Sequence, residues 1–247
     1  GVLNHGHNHK RIIEARIRFQ NKNRMEVHKA FLSPYVAALS HNLAQLLPND
    51  LNISYFSNSG TEANEGAIKM AYKYHDGIRK TILHSDISFH GKTLGSGSVT
   101  ASKEVNYNFP RISNTDSFEY GSIDSINLLI DKYTNDKGEC DIYSIIIEPF
   151  SASTLRHCSD EFLIKLRDRC NKFDIVLIFD EVYSGYFKTG KLFNFMRVDN
   201  LSPDIVTMAK SFGGGKSSIS AFVATDKLFN QSYNSTKYAT LHSSTYY

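Results

Sequence analysis

The stretch Ile175-Val-Leu-Ile-Phe-Asp-Glu-Val182 and the later stretch Ile205-Val-Thr-Met-Ala-Lys-Ser-Phe-Gly-Gly-Gly215 share one pattern. In each, a short apolar run is followed by one charged residue, Asp180 in the first and Lys210 in the second. Apolar runs of this length, rich in β-branched residues, predict buried strands. Because the carboxyl ends of the strands of an open α/β sheet form the ligand crevice, a carboxylate and an amine are predicted to meet there.

The two charged groups favour one kind of cofactor chemistry. A desolvated lysine amine loses its proton readily and can attack an aldehyde. A carboxylate across the crevice can hold a protonated ring nitrogen. Together, Lys210 and Asp180 indicate a site for pyridoxal phosphate, whose aldehyde binds a lysine and whose pyridinium nitrogen is tuned by an Asp. Taken singly, Asp180 could cap a helix or lie in a surface turn, and Lys210 could be a solvated loop residue.

Apolar patterns in the rest of the chain predict alternating strands and helices. Further strands are predicted at 53–57, 81–84, 142–148 and 218–224, and helices at 61–74, 123–133 and 160–172. Residues 11–47 predict two helices broken near Ser33-Pro34, whereas residues 100–120 have no clear period and predict a long ordered loop. We therefore expect an α/β fold with a mostly parallel sheet and helices on both faces.

Composition excludes several classes of protein. The chain has 247 residues, of which 41% are hydrophobic, enough for a substantial core. Its 28 basic and 25 acidic residues are interspersed, so we expect no nucleic-acid or membrane partner. Three cysteines, an odd number without a C-x-x-C pair, indicate free thiols in a reducing compartment. No apolar run approaches the ~18 residues that span a bilayer, and no signal peptide is recognisable, so we expect a cytoplasmic protein.

A turn near the start of the chain predicts an anion site. Asn58-Ser59-Gly60 follows the strand at 53–57, and Thr61 begins a strongly helical stretch. Backbone amides at a helix N-terminus, together with the helix dipole, suit a phosphate group. By contrast, the three imidazoles of His5-Gly-His-Asn-His9 have no fourth ligand nearby, and we expect no metal site.

With these pieces placed, the chain resembles the class III, or ω-type, aminotransferases of the fold type I pyridoxal phosphate superfamily. That group includes ornithine, acetylornithine, putrescine and 4-aminobutyrate aminotransferases. The resemblance covers almost the whole chain and rests on motifs in the family's order: Ser59-Gly-Thr-Glu-Ala-Asn-Glu65, Phe89-His-Gly-Lys-Thr93, Ile147-Glu-Pro149, Asp180-Glu-Val182, Lys188-Thr-Gly190, Pro203-Asp-Ile205, Ala209-Lys-Ser-Phe-Gly-Gly-Gly215 and His242-Ser-Ser-Thr245.

The resemblance implies catalytic roles for two residues. Lys210 is implied to form a Schiff base with the cofactor and, once displaced by an incoming amine, to shuttle a proton. Asp180 is implied to keep the ring nitrogen protonated, so that the ring accepts the electron pair released when the substrate proton leaves.

The resemblance also implies how the cofactor is held. Gly60 and Thr61 match residues that bind its phosphate, and Ser59 positions their turn. Phe89 matches the aromatic residue that stacks on one face of the ring, although an ordinary core aromatic would look the same in sequence. His90 beside it is assigned to the same cofactor site.

Two further residues complete the implied cofactor site. Val182 is implied to pack on the ring face opposite Phe89. Thr245 matches a residue that reaches the phosphate of the neighbouring subunit's cofactor, which implies a homodimer.

The chain departs from the family pattern at three places. Phe150-Ser-Ala-Ser-Thr154 stands where the family usually has Gln-Gly-Glu after Glu-Pro, which removes a residue that gates substrates and leaves the role of Glu148 open. Tyr183 replaces a common Gln that orients the ring oxygen. Family members also continue into a small C-terminal domain. We therefore expect residues 1–247 to form the large cofactor-binding domain, led by helices in about residues 1–50.

These features predict transamination between an amine or ω-amino acid and an oxo-acid acceptor. A pyridoxal phosphate-dependent aminomutase of the same fold is the close alternative. A non-catalytic assembly module that retains the fold is the alternative from another class.

Overall fold

A computed structural model describes residues 2–23, 31–102, 107–234 and 241–244. Within those residues seven strands form one sheet. In chain order they are β1 (Leu51–Ser57), β2 (Thr81–Ser85), β3 (Thr115–Phe118), β4 (Ile142–Ile147), β5 (Val176–Asp180), β6 (Ile205–Met208) and β7 (Ser220–Thr225). Their order across the sheet is β1-β7-β6-β5-β4-β2-β3.

The sheet is mostly parallel, as predicted. Strands β3, β2, β4, β5 and β6 run in one direction. Strand β7 is antiparallel to both of its neighbours, β6 and β1, so β1 runs in the direction of β6. The connection from β6 to β7 contains a short 3₁₀ turn at Lys210–Gly213 and no α-helix, so the chain turns back instead of crossing over.

Seven α-helices lie in the described residues, and their starts follow from the sequence. They are α1 (Lys10–Gln20), α2 (Pro34–Leu46), α3 (Gly60–Tyr74), α4 (Leu94–Ser98), α5 (Ile123–Lys132), α6 (Asp160–Phe173) and α7 (Asp226–Ser232). At five of them a Ser or Thr oxygen accepts a first-turn backbone N–H, the usual N-cap interaction. These caps are Ser33, Ser59, Ser122, Ser159 and Thr225.

Helices cover both faces of the sheet, which confirms the predicted fold class. Successive strand residues point to opposite faces. Ile145 and Leu177 join the core beneath α2, α5 and α6, whereas Ile146 and Ile178 join the core beneath α3 and α7. Near-continuous apolar strands such as β4 and β5 are thus explained by burial on both sides.

The predicted loop at 100–120 was wrong in part. Thr115–Phe118 forms β3, which pairs with β2 in parallel at the edge of the sheet. Helix α7, which follows β7 directly, was not predicted. The break predicted near Ser33-Pro34 is confirmed, since α2 begins at Pro34 with Ser33 as its N-cap. Residues 24–30 of the predicted helical region lie outside the described residues.

Two further expectations concern the cysteines and a membrane crossing. Cys140, Cys158 and Cys170 are buried and unbonded, in agreement with the expectation of free thiols. Among the helices of the described ranges, none has both the length and the apolar character that a membrane crossing requires.

Candidate active site

A cleft of about 460 Å³ opens at the edge of the sheet where the parallel strands end. The segments that follow β1, β2, β4, β5 and β6 all contribute residues to its wall, and so does the entrance to the reversed strand β7. Eight of the nine predicted site residues line this single cleft: Ser59, Gly60, Thr61, Phe89, His90, Asp180, Val182 and Lys210. The ninth, Thr245, lies outside the described residues.

Asp180 ends β5 and forms part of the cleft wall although its side chain is buried. Its Oδ2 accepts a hydrogen bond from Asn64 Nδ2 at 2.7 Å and lies 2.8 Å from His90 Nδ1. Its Oδ1 accepts a hydrogen bond from the Val182 backbone N–H at 3.0 Å. Both carboxylate oxygens therefore have protein partners.

These contacts determine the charge of Asp180. Burial alone would raise its pKa, but the hydrogen bond and charge interaction with His90 outweigh that effect. The hydrogen bonds from Val182 and Asn64 act in the same direction, and the pKa of Asp180 is held below its ordinary value. The site thus presents a carboxylate anion at neutral pH.

Two residues that hold Asp180 are themselves fixed by hydrogen bonds. The backbone N–H of His90 donates to Thr100 Oγ1 at 2.9 Å, and Asn64 Nδ2 donates to the His90 carbonyl oxygen at 2.7 Å. Asn64 lies in α3, three residues after Thr61 and thus on a neighbouring part of the helix surface. Sequence reasoning quoted Asn64 within a motif but assigned it no role.

Two buried atoms of this cluster carry unused hydrogen-bonding capacity. His90 Nε2 and Asn64 Oδ1 have no partner among the described protein atoms. Buried polar atoms usually do have partners, so this concentration beside the cleft is typical of a functional site.

Lys210 lies two residues beyond the end of β6 and begins a 3₁₀ turn. Its φ of +45° is in the left-handed region. For a residue with a Cβ atom, this backbone conformation costs about 1–2 kcal/mol of conformational free energy. Such strain persists where the surrounding structure requires it, and functional sites are a common location. Its Nζ lies 5.7 Å from the centroid of the Tyr183 ring.

The Tyr183 ring forms a wall beside Lys210. It stacks on the Phe150 ring with the centroids 6.2 Å apart and the planes inclined by 13°. Lys188 Nζ lies 3.8 Å from the Tyr183 centroid, within the range of a cation–π interaction. Partial burial, and then the nearby charge of Lys210, lower the pKa of Lys188.

Glu148 connects two of the loops that border the cleft. Its side chain is buried, Oε2 accepts from the Phe89 N–H at 3.0 Å, and Oε1 accepts from the Ala152 N–H at 3.0 Å. Burial and the charge of Asp180 raise the pKa of Glu148 to about 7. Glu148, whose role the sequence left open, therefore has a structural role: it positions the Phe89 backbone.

The turn before α3 lies at the cleft and is tightly packed. Ser59 Oγ caps the helix by accepting from Glu62 N–H at 3.4 Å. A Cβ atom at Gly60 would lie 2.8 Å from Val182 Cγ1, so the turn and Val182 approach too closely for a side chain there. Thr61 Oγ1 lies 2.6 Å from Ser96 Oγ and therefore takes part in a hydroxyl cluster at the cleft.

The fold and the site define a class of protein, and comparison with known families agrees. The family described as Aminotransferase class-III matches residues 1–247. The chain belongs to that family. It is 41% identical, over 184 residues, to an acetylornithine aminotransferase of Prochlorococcus marinus, an alignment that covers 71% of this chain and 43% of that relative.

Solved structures share the fold. An (S)-enantioselective ω-transaminase from Thermomicrobium roseum is 26% identical with a TM-score of 0.82, covering 92% of this chain and 55% of that one. The ornithine aminotransferase from Toxoplasma gondii is 22% identical with a TM-score of 0.85, covering 99% and 56%. The chain thus spans about half the length of these structures, and less than half of the acetylornithine aminotransferase.

Proposed function

We propose that this chain is the large, cofactor-binding domain of a pyridoxal phosphate-dependent aminotransferase. The reaction moves an amino group from an amine or ω-amino acid to an oxo acid. The observation that carries the proposal is the cleft shared by Lys210 and a buried Asp180 whose two carboxylate oxygens are held in an anionic state.

The residues of the cleft fit pyridoxal phosphate. The first-turn amides of α3 have no intrahelical acceptor, the Glu62 N–H is capped by Ser59 Oγ, and Gly60 and Thr61 line the cleft at this helix N-terminus. Asp180 offers a buried anion for a pyridinium nitrogen. Phe89 and Val182 supply apolar surface for the two faces of a ring. Lys210 supplies the amine to which the cofactor aldehyde is attached.

Each residue has a definite task in the proposed reaction. When bound, pyridoxal phosphate supplies an aldehyde that condenses with amines and a pyridinium ring that accepts an electron pair. Asp180 keeps the proton on the ring nitrogen, because a buried anion with three donors strongly favours a cation beside it. Lys210 Nζ, once the substrate amine takes its place, would remove the proton from the substrate carbon and deliver it to the cofactor carbon that carried the aldehyde. The amino group then stays with the cofactor, and the substrate leaves as an oxo compound after addition of water.

Tyr183 takes the position at which relatives have a Gln. Its phenol can donate one hydrogen bond to a ring oxygen, and its ring is held by Phe150 on the cleft wall. We assign Tyr183 the task of orienting the ring.

The assembly belongs to the same proposal. Thr245 is proposed to reach the phosphate site of a second copy, so that the working unit is a homodimer. Size-exclusion chromatography tests this point: a dimer is expected. A monomer that binds the cofactor with full affinity would contradict the role of Thr245.

The proposed function is tested by the response of the loaded protein to amine donors. The chain with cofactor should absorb near the violet edge of the visible spectrum, lose that absorbance with a suitable amine donor, and regain it with an oxo acid. Lys210→Ala should abolish the cycle, whereas Lys191→Ala, a change at an exposed lysine outside the cleft, should preserve it.

The products of the same experiment separate the alternatives. An aminomutase would give no released oxo product, because the amino group stays within one molecule. A non-catalytic assembly module would show no cycle even when the cofactor is bound. Screening several amines and oxo acids with the full-length protein would identify the substrate pair.

A further inference from the structure

A second cavity of about 410 Å³ shares Tyr183 with the cleft, and we call it the side pocket. Tyr183 lines both cavities, so the two are neighbours across a single aromatic residue. The side pocket is lined by Phe150, His157, Tyr183, Lys188, Thr189, Asn194 and Arg197. None of these residues belongs to the proposed ring and phosphate contacts except Tyr183.

The lining is cationic. Lys188 and Arg197 both contribute to the wall, and no Asp or Glu lines it. Asp160, at the start of α6, pairs with the Arg197 guanidinium. Arg197 also donates to the carbonyl oxygen of Cys158, so its side chain is held in place.

Polar atoms accompany the two cations. Asn194 is buried, and its Oδ1 accepts from Arg197 Nε at 3.4 Å. Thr189 Oγ1 is a buried atom without a partner among the described protein atoms. A hydroxyl that can donate and two cations, all lining one cavity, are groups suited to binding a carboxylate.

The position of Lys188 is imposed by the backbone before it. Tyr186 and Phe187 have φ values of +62° and +65°, unusual for bulky residues, and Lys188 follows immediately. Asn4 Nδ2 secures this turn through hydrogen bonds to the carbonyl oxygens of Gly185 and Tyr186, at 3.1 and 2.7 Å. The strained turn therefore directs Lys188 over the Tyr183 ring.

The side pocket is close to the proposed reacting centre. Lys188 Nζ lies 3.8 Å and Lys210 Nζ 5.7 Å from the centroid of the same ring. The two nitrogen atoms can be no farther apart than those two distances laid end to end. A small molecule with its reacting carbon at Lys210 can therefore place a second group near Lys188.

We propose that the side pocket binds a carboxylate of the substrate, through Lys188 with Arg197 and Thr189 beside it, while the opposite end of the substrate reacts at Lys210. Within the substrates already proposed, the subsite thus favours those whose carboxylate is separated from the reacting carbon by a short chain. This assignment of the reacting end rests on the proposed function, whereas the carboxylate subsite itself does not.

The test uses glutarate as the probe, with its uncharged analogue glutaramide for comparison. Isothermal titration calorimetry with the 247-residue chain, with and without pyridoxal phosphate, measures the binding of each. The variants are Lys188→Gln, Lys188→Arg to retain the charge, and Lys191→Gln as the matched control on the same segment. The absorbance of the loaded protein is recorded for each variant.

Glutarate is expected to bind the wild-type chain more tightly than glutaramide. Lys188→Gln should weaken glutarate binding by about tenfold or more, the scale of one lost charge-assisted contact, with cofactor absorbance unchanged. Lys188→Arg should recover most of the affinity, and Lys191→Gln should leave it unchanged. Three results would overturn the subsite. Lys188→Gln could bind glutarate as tightly as the wild type, the wild type could bind both probes equally, or glutarate could fail to bind at all. Loss of cofactor absorbance in the wild type would instead overturn the proposed function.

Discussion

Asp180 Oδ2 and His90 Nδ1 lie 2.8 Å apart, and both side chains are almost completely buried. The contact joins the end of β5 to the loop after β2, two segments that are 90 residues apart in sequence. Because the cleft wall contains a carboxylate that burial alone would neutralise, this pair determines whether the site carries the anion that the proposed chemistry needs.

Removing the imidazole should therefore destabilise the protein. His90→Ala is expected to lower the free energy of unfolding at pH 7 by about 3 kcal/mol, since a buried carboxylate loses a partner. The pKa of Asp180 is depressed in the folded state, so its stabilisation is present at neutral pH and is lost as the pH falls through that pKa. The difference from wild type should consequently shrink in acid.

Urea denaturation between pH 3 and pH 7 measures this difference. His41→Ala, at an exposed position of α2, is the control and should change stability little. A His90→Ala variant as stable as wild type at pH 7 would show that His90 does not support the anion.

Glu181 gives the opposite dependence on pH. It is fully buried, Oε1 accepts from the Phe195 N–H at 2.9 Å, and Oε2 accepts from the Ser184 hydroxyl. Burial raises its pKa to about 7, so the folded state binds a proton more tightly than the unfolded state does. Its contribution to stability is full below the ordinary carboxyl pKa and declines as the pH rises towards 7.

Glu181→Gln should remove that decline. At pH 8 the variant should be more stable than wild type by about 2 kcal/mol, because an uncharged amide keeps an acceptor for Phe195 without burying a charge. Equilibrium unfolding at pH 5 and pH 8 provides the comparison. Identical pH slopes for variant and wild type would mean that Glu181 does not titrate in this range.

Phe187 combines a φ of +65° with a side chain that is 67% exposed. Glycine adopts this conformation without steric strain, and little apolar burial is lost on substitution. Phe187→Gly should therefore raise the free energy of unfolding by about 1 kcal/mol.

Phe109→Gly is the matched control, since Phe109 is 58% exposed and does not have a positive φ. That substitution should be neutral or destabilising, because it adds unfolded-state entropy without relieving strain. If thermal unfolding showed Phe187→Gly to be the less stable of the two variants, the claim that the positive φ of Phe187 strains the folded state would be disproved.

A substitution at Gly60 tests the proposed phosphate-binding turn, Asn58-Ser59-Gly60. Gly60→Ala would place a Cβ atom 2.8 Å from Val182 Cγ1, so either the turn or Val182 must move. Both belong to the proposed cofactor site, and we expect pyridoxal phosphate to bind about tenfold more weakly or worse, a loss of about 1.4 kcal/mol. Titration followed by absorbance measures the affinity.

The control for Gly60 is Gly97→Ala. A Cβ atom at Gly97 meets no heavy atom within 4 Å, so binding should be unchanged. If Gly60→Ala bound pyridoxal phosphate with unaltered affinity, this turn would not be part of the cofactor site.

The parts of the fold that the sequence predicted are those with strong local signals. Asp180 and Lys210 each follow an apolar run, and the strand ends place both at one edge of the sheet. Edge strand β3 was missed because its sequence, Thr-Asp-Ser-Phe, has no apolar pattern and depends on pairing with β2. The reversal of β7 was likewise invisible, since a strand's direction is set by its connection and neighbours.

The missed parts of the site depend on contacts between distant segments. Asn64 reaches Asp180 across 116 positions of sequence, and Glu148 reaches the Phe89 backbone across 59. Lys188 was quoted only as part of a motif, because its place over Tyr183 follows from the positive φ of the two preceding residues. Residue type and spacing along the chain do not show which of these distant segments come into contact.

The central claim is that Lys210 is the amine that holds the cofactor, and the most direct measurement is to locate the attachment. The chain is loaded with pyridoxal phosphate, reduced with borohydride, digested and mapped by mass spectrometry. The reduced cofactor is expected on the peptide containing Lys210, with no specific labelling in Lys210→Ala. Stoichiometric labelling of Lys92 in the cleft or of Lys188 in the side pocket, with Lys210 unmodified, would contradict this assignment.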